Sequence, residues 1–121
     1  MATATKKLTH RATAAAGVTD TITMTGPDST SGSSDPAWAT ASATGRGSVN
    51  SWRIYNASTD VELRYSYANT AAGAVSPADA TTDGVYTVPA GGTDEIEQSM
   101  TEVVVKVQAT ADCVYSIEVT G

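Results

Sequence analysis

The sequence predicts an all-β protein, a small antiparallel β-sandwich or jelly-roll-like barrel with an extended N-terminal arm. Three observations predict it. Several short segments alternate apolar and polar residues with period two, and turn residues separate them. No segment carries a convincing helical period. The chain has 20 Thr and 12 Val but only 2 Leu, 4 Ile and no Phe among its 121 residues, and Thr and Val suit a pleated surface. With so few long aliphatic side chains the core is thin, and the length fits one domain.

Residues 1–47 are expected to form a polar arm and loop. Met1 to Gly17 is Ala/Thr-rich without a clean period; Ala12 to Ala16 has room for one helical turn, but so short a helix is marginal in water, and the segment reads as an extended arm. Thr19 to Thr25 alternates, with Ile22 and Met24 on one side, and predicts a half-buried strand that ends at the turn Gly26-Pro27-Asp28. Residues 26–47 are rich in Gly, Ser, Thr and Pro and bury little. Trp38 stands out there as an anchor, either on the domain's own surface or on a partner, because Trp covers a large area at low entropic cost.

Residues 48–121 are expected to form the sandwich. Val49 to Tyr55 puts Trp52 and Ile54 on one face, with Arg53 and Tyr55 on the other. Asn56 to Asp60 is a small polar turn. Val61 to Tyr67 then alternates, with Val61, Leu63, Tyr65 and Tyr67 inward and Glu62, Arg64 and Ser66 outward. Two such runs across a short turn predict an antiparallel hairpin. Ala68 to Asp83 is a long loop, functional or mobile by its length. Gly84 to Val88 is a short strand stopped by Pro89-Ala90-Gly91-Gly92. Asp94 to Gln98 is a weaker, charged strand suited to a sheet edge. Val103 to Val107 and Cys113 to Val119 complete about seven strands, the last two as a closing hairpin around Asp112.

Charge and chemistry narrow the function. The net charge is −6, with a balance of +2 over residues 1–27, zero over 28–58 and −8 over 59–121. An acidic body repels phosphate, so nucleic acid is not an expected partner. No apolar run is long enough to cross a membrane as a helix, and no secretory apolar run follows Lys6 and Lys7. Cys113 is the single cysteine and His10 the single histidine, too few for a zinc site and poorly placed for a nucleophile–base pair. Asp94, Glu95, Glu97 and Glu102 lack the order of a calcium loop and read as solvated acids. Gly91-Gly92 is a turn rather than a phosphate loop, and Asn56-Ala57-Ser58 matches the glycosylation pattern by chance. No catalytic group, cofactor or metal is expected. Trp52, Tyr65, Tyr67 and Tyr115 share faces with aliphatics and read as core; Tyr55 faces the other way.

Several residues carry a resemblance. A strand ending Ile54-Tyr55-Asn56 precedes an alternating strand, then Tyr86-Thr87-Val88-Pro89-Ala90-Gly91-Gly92, a Val-rich strand and the ending Tyr115-Ser116-Ile117-Glu118-Val119-Thr120-Gly121. Over residues 48–121 this pattern resembles small β-sandwich structural proteins of tailed bacteriophage virions. The resemblance implies a non-enzymatic capsid decoration (cement) protein, made in the host cytoplasm and placed on the capsid surface. It implies a homotrimer and, as partners, the major capsid protein or other virion proteins. Neck, head–tail and tail accessory proteins share the pattern. Partner-binding candidates are Lys6, Lys7 and Arg11 as cations toward acidic patches, Trp38 as anchor and exposed Tyr55. A different reading makes the chain a carbohydrate- or receptor-binding module using Tyr55, Trp38 and the 68–83 loop.

Overall fold

The computed structural model describes residues 9–24 and 49–120; Lys6, Lys7 and Trp38 lie outside them. The described residues form eight strands: β1 (Thr9–Ala14), β2 (Asp20–Met24), β3 (Val49–Asn56), β4 (Leu63–Ala68), β5 (Tyr86–Val88), β6 (Thr93–Met100), β7 (Val103–Ala109) and β8 (Cys113–Val119). They build two four-stranded sheets, ordered β1-β8-β3-β6 and β2-β7-β4-β5, and every strand pairing is antiparallel. The protein is therefore an all-β sandwich, and this strand order is that of an eight-stranded jelly roll.

Alternation decides which residues meet between the sheets. The first sheet turns Ala14, Trp52, Ile54, Cys113, Tyr115, Ile117 and Val119 inward; the second supplies Ile22, Met24, Leu63, Tyr65, Val88, Val103, Val105, Val107 and Ala109. Trp52 is fully buried. A buried aromatic of this size removes about 150–250 Å² from water, roughly 4–6 kcal/mol gross at ~25 cal/mol per Å². Thr9, Thr13, Thr21, Thr87 and Thr93 project outward instead, which is where much of the Thr-rich composition goes.

Three expectations are corrected. Residues 9–14 are not an arm: β1 pairs along its whole length with β8, from Thr9 opposite Glu118 to Ala14 opposite Cys113. Its period-two pattern runs through His10, Ala12 and Ala14, whose weak hydrophobicity conceals it. The strand expected at 19–25 is β2, paired with β7, so the sandwich extends well before residue 48. The hairpins expected across Asn56–Asp60 and across Asp112 do not form either. β3 and β4 lie in different sheets, as do β7 and β8, so both turns carry the chain across the sandwich. Two inward-alternating strands bury their apolar faces equally well against each other as side by side, and alternation alone does not distinguish the two arrangements.

The crossing from β3 to β4 is held by Asn56, which is fully buried. Its Nδ2 donates to the carbonyls of Val61 at 2.7 Å and Val88 at 2.9 Å. Its Oδ1 accepts from the Ser58 amide at 3.0 Å, the Ser58 hydroxyl at 2.7 Å and the Cys113 thiol at 3.3 Å. Its backbone exchanges hydrogen bonds with Gly91 and Gly92, each 2.9 Å. One side chain thus ties the crossing to β5 and β8.

The loop between β4 and β5 is neither detached nor simply solvated. It lies on the outer face of the second sheet, where three side chains hold its backbone. Lys106 Nζ donates to the Ala74 carbonyl at 2.9 Å, the Ser66 hydroxyl to that of Val75, and Arg64 Nε to that of Pro77 at 3.0 Å. Ser66, expected on a wet face, is consequently buried, together with Ala74 and Pro77.

Candidate functional site

The two outer faces of the sandwich differ in what covers them. The β2-β7-β4-β5 face is covered by the 69–85 loop. No described segment lies over the β1-β8-β3-β6 face, and it holds two of the five candidate residues. Arg11 is opposite Ser116 on β8, Ser116 is opposite Tyr55 on β3, and Tyr55 is opposite Thr93 on β6. These four residues form one cross-strand row. Two strand spacings put the Cα atoms of Arg11 and Tyr55 about 10 Å apart. Tyr55 is 38% exposed, and Arg11 and Thr93 are exposed too.

In the neighbouring row the one guanidinium is already paired. Arg53 sits between Glu118 and Glu95 on the flanking strands. Its Nε donates to Glu118 Oε1 at 2.8 Å, and Glu95 Oε2 lies 3.9 Å from its guanidinium. Among the described residues no salt bridge engages Arg11. A sheet face with a guanidinium and an exposed phenol in register presents two side-chain types that carry much of the energy at protein interfaces. The Tyr55, Trp38 and 68–83 loop combination does not assemble: Tyr55 and the loop lie on opposite faces of the sandwich, and Trp38 is outside the described residues.

The two lateral openings of the sandwich are polar in different ways. At the β1/β2 side, the Tyr115 hydroxyl donates to Asp20 Oδ2 at 2.9 Å and lies 3.3 Å from His10 Nε2. Burial lowers the His10 pKa, with the Asp20 charge pulling it back up. Burial first, then the Asp20 charge and hydrogen bond, pushes the Tyr115 phenol far above its ordinary range, so it stays a neutral donor.

At the β5/β6 side, Tyr65, Tyr67 and Tyr86 stand on the inner face of the second sheet, with ring centroids 5.4–6.5 Å apart. Trp52 meets Tyr65 and Tyr67 edge-on at 6.0 and 5.3 Å. The Tyr65 hydroxyl donates to Asp94 Oδ2 at 2.8 Å and the Tyr67 hydroxyl to Gln98 Oε1 at 3.2 Å. Burial, and then the Asp94 hydrogen bond, raises the Tyr65 pKa strongly. Sequence reasoning missed this opening. Tyr65 and Tyr67 read as core, and the signal that distinguishes Tyr86 is its place on a three-residue edge strand beside the Pro89 turn.

Cys113 and His10 do not meet. His10 is opposite Ile117, four residues along β8 from Cys113, or about 13 Å. Burial raises the Cys113 pKa, which keeps the thiol protonated and donating to Asn56. Among the described residues no three His, Cys, Asp or Glu side chains gather closely enough to hold a metal ion. No described helix is long and apolar enough to cross a membrane.

No family model matches the chain, and no curated protein matches it. Among solved structures, the crystal structure of the Yersinia pseudotuberculosis-derived mitogen (YPM) is similar, with 11% identity and a TM-score of 0.47 over 93% of this chain and 83% of that one. A likeness of that size carries no functional inference.

Proposed function

We propose that this chain is a non-enzymatic virion structural protein, a capsid decoration (cement) protein that binds the major capsid protein as a trimer. The observation that carries this reading is the β1-β8-β3-β6 face, over which no described segment lies, with Arg11 and Tyr55 in one row. The opposite face is already covered by the chain's own loop, so the two faces have different roles. The pattern of residues 48–121 supports the same reading, as does a jelly roll, an architecture used in viral capsids and also in lectins. Symmetric assembly lets a modest contact of this kind act many times over on one particle. Lys6 and Lys7, shortly before β1 in the sequence, would add positive charge.

The test is incorporation into particles that lack the protein, counted by particle imaging. Tyr55→Ala and Arg11→Glu should each lower the copy number while leaving the fold intact. Normal incorporation of the double variant would refute the assigned face. Deleting residues 2–17 is a poor test because it removes β1, with buried Ala14 and His10. Deleting residues 2–8 tests Lys6 and Lys7 without that damage. Position and copy number in the same images separate a decoration protein from a neck or tail part.

A further inference from the structure

The rings at the β5/β6 opening raise a question that core packing does not answer. Tyr65 is buried and Tyr67 half-buried, as core rings should be. Tyr86 lies directly opposite Tyr65 on the same inner face, yet it is 47% exposed. β5 is only three residues long and forms the edge of its sheet, and no further strand among the described residues flanks the ring. Its planes run within 27° of Tyr67 and 34° of Tyr65. The group is a set of similarly inclined rings that ends in an exposed one.

Across the opening, β6 presents polar side chains toward the same rings. Asp94, Ile96 and Gln98 alternate onto its inner side, over a span of about 13 Å from Asp94 to Gln98. Asp94 binds Tyr65 through one carboxylate oxygen, Oδ2, and Gln98 binds Tyr67 through Oε1. The second carboxylate oxygen and the Gln98 amide nitrogen keep bonding capacity.

We propose that Tyr86, Tyr67, Asp94 and Gln98 form a binding site for a neutral pyranose sugar at the β5/β6 edge. A pyranose has an apolar C–H face and a rim of hydroxyls. The exposed Tyr86 ring suits the first, and a carboxylate and a primary amide at the ring edge suit the second. A few fixed polar groups around aromatic surface are the usual make-up of a small-molecule site. The Tyr65 and Tyr67 hydroxyls are already tied and Trp52 braces both rings, so binding immobilises few side chains. The balance of −8 over residues 59–121 selects against anionic sugars and phosphates. This site is separate from the Arg11–Tyr55 face, and the proposal stands or falls independently of the virion reading.

Saturation-transfer NMR on the full chain tests it, with maltotriose, cellotriose and triacetylchitotriose as neutral probes and trigalacturonate as the anionic one. At least one neutral probe should receive saturation at its ring C–H protons and titrate with a Kd of about 1 mM or tighter. Tyr86→Ala should weaken that binding by at least about fivefold, as loss of a contact residue does. Tyr55→Ala should leave it unchanged. Gln98→Ala, at an exposed position, serves as the deciding variant if Tyr86→Ala fails to fold, and should also weaken binding. Absence of transfer to all three neutral probes overturns the proposal. So does binding insensitive to the folded variants, or equal binding of trigalacturonate. Self-association abolished by Tyr86→Ala, with no sugar signal, would overturn it in favour of a protein contact.

Discussion

Replacing Asn56 by alanine should be among the most damaging single changes in this protein. The amide makes two donor and three acceptor contacts, four of them with nitrogen or oxygen at 2.7–3.0 Å. The Ser58 hydroxyl can turn its one proton to the Val61 carbonyl, 2.7 Å away, so part of the network survives. The Val88 carbonyl and the Ser58 amide lose this partner outright. At about 1 kcal/mol net for each lost bond, and more for buried groups left unsatisfied, the cost is about 3–5 kcal/mol. A domain of this length has about 6–18 kcal/mol of stability in total, so the loss is a large fraction. Urea unfolding followed by tryptophan fluorescence should show a midpoint lower by roughly 2 M, with the slope little changed. Asn56→Asp should be no milder, because it replaces the two donated bonds with a carboxylate facing two carbonyl oxygens. A midpoint shift under roughly 0.5 M for the alanine variant would refute the view that this side chain holds the crossing. An aspartate variant as stable as the parent would refute the two donated bonds to the Val61 and Val88 carbonyls.

Stability should fall as the pH drops below about 6.5, the ordinary histidine value. Burial lowers the His10 pKa, so the unfolded chain takes up a proton that the folded chain resists, and stability is retained above that range. Thermal unfolding between pH 5 and 8 should show the slope, and His10→Gln should flatten it; an equal slope in both proteins would reject the assignment. Tyr115→Phe should cost about 1–2 kcal/mol in the same assay, because Asp20 loses its buried donor. Gly91→Ala should cost about 1–2 kcal/mol: its φ is +77°, and no atom within 4 Å obstructs an added methyl, so strain is the whole effect. Gly91→Asn should be milder, and equal losses in both would point elsewhere. Lys106→Met should release the Ala74 carbonyl and speed proteolysis within residues 69–85 roughly fivefold, for about 1 kcal/mol of lost docking; unchanged cleavage would show that the lysine does not hold the loop.

Alternation made most strands legible in the sequence, above all β4 and β8, because Leu63, Tyr65, Tyr115, Ile117 and Val119 mark the inward positions with apolar bulk. It left β1 hidden, since histidine and alanine are weak markers of an inward face. Strand partners were not legible. Whether Asn56–Asp60 closes a hairpin or bridges two sheets depends on long-range packing, and only the buried hydrogen bonds of Asn56 reveal the bridge. Ser66 shows the same limit: its position is outward by period, but the 69–85 backbone covers it. At the candidate face, the basic and aromatic character of Arg11 and Tyr55 was readable, while their common row required the β1-β8-β3 register. The exposed Tyr86 required knowing that β5 is short and at an edge.

The strand order has a consequence for how the chain is made. β1 can find its place only beside β8, which lies about a hundred residues downstream. During synthesis Thr9–Ala14 leaves the ribosome early and waits, with Ala14 and His10 still in water, until Val119 has emerged. Neither sheet can be completed piecemeal from the N-terminal side, because β2 waits for β7 in the same way. The chain must therefore keep both N-terminal strands unpaired until β7 and β8 have been made. Its Thr- and Ser-rich, Leu- and Phe-poor composition suits that wait, since an exposed chain with few large apolar side chains has little with which to aggregate.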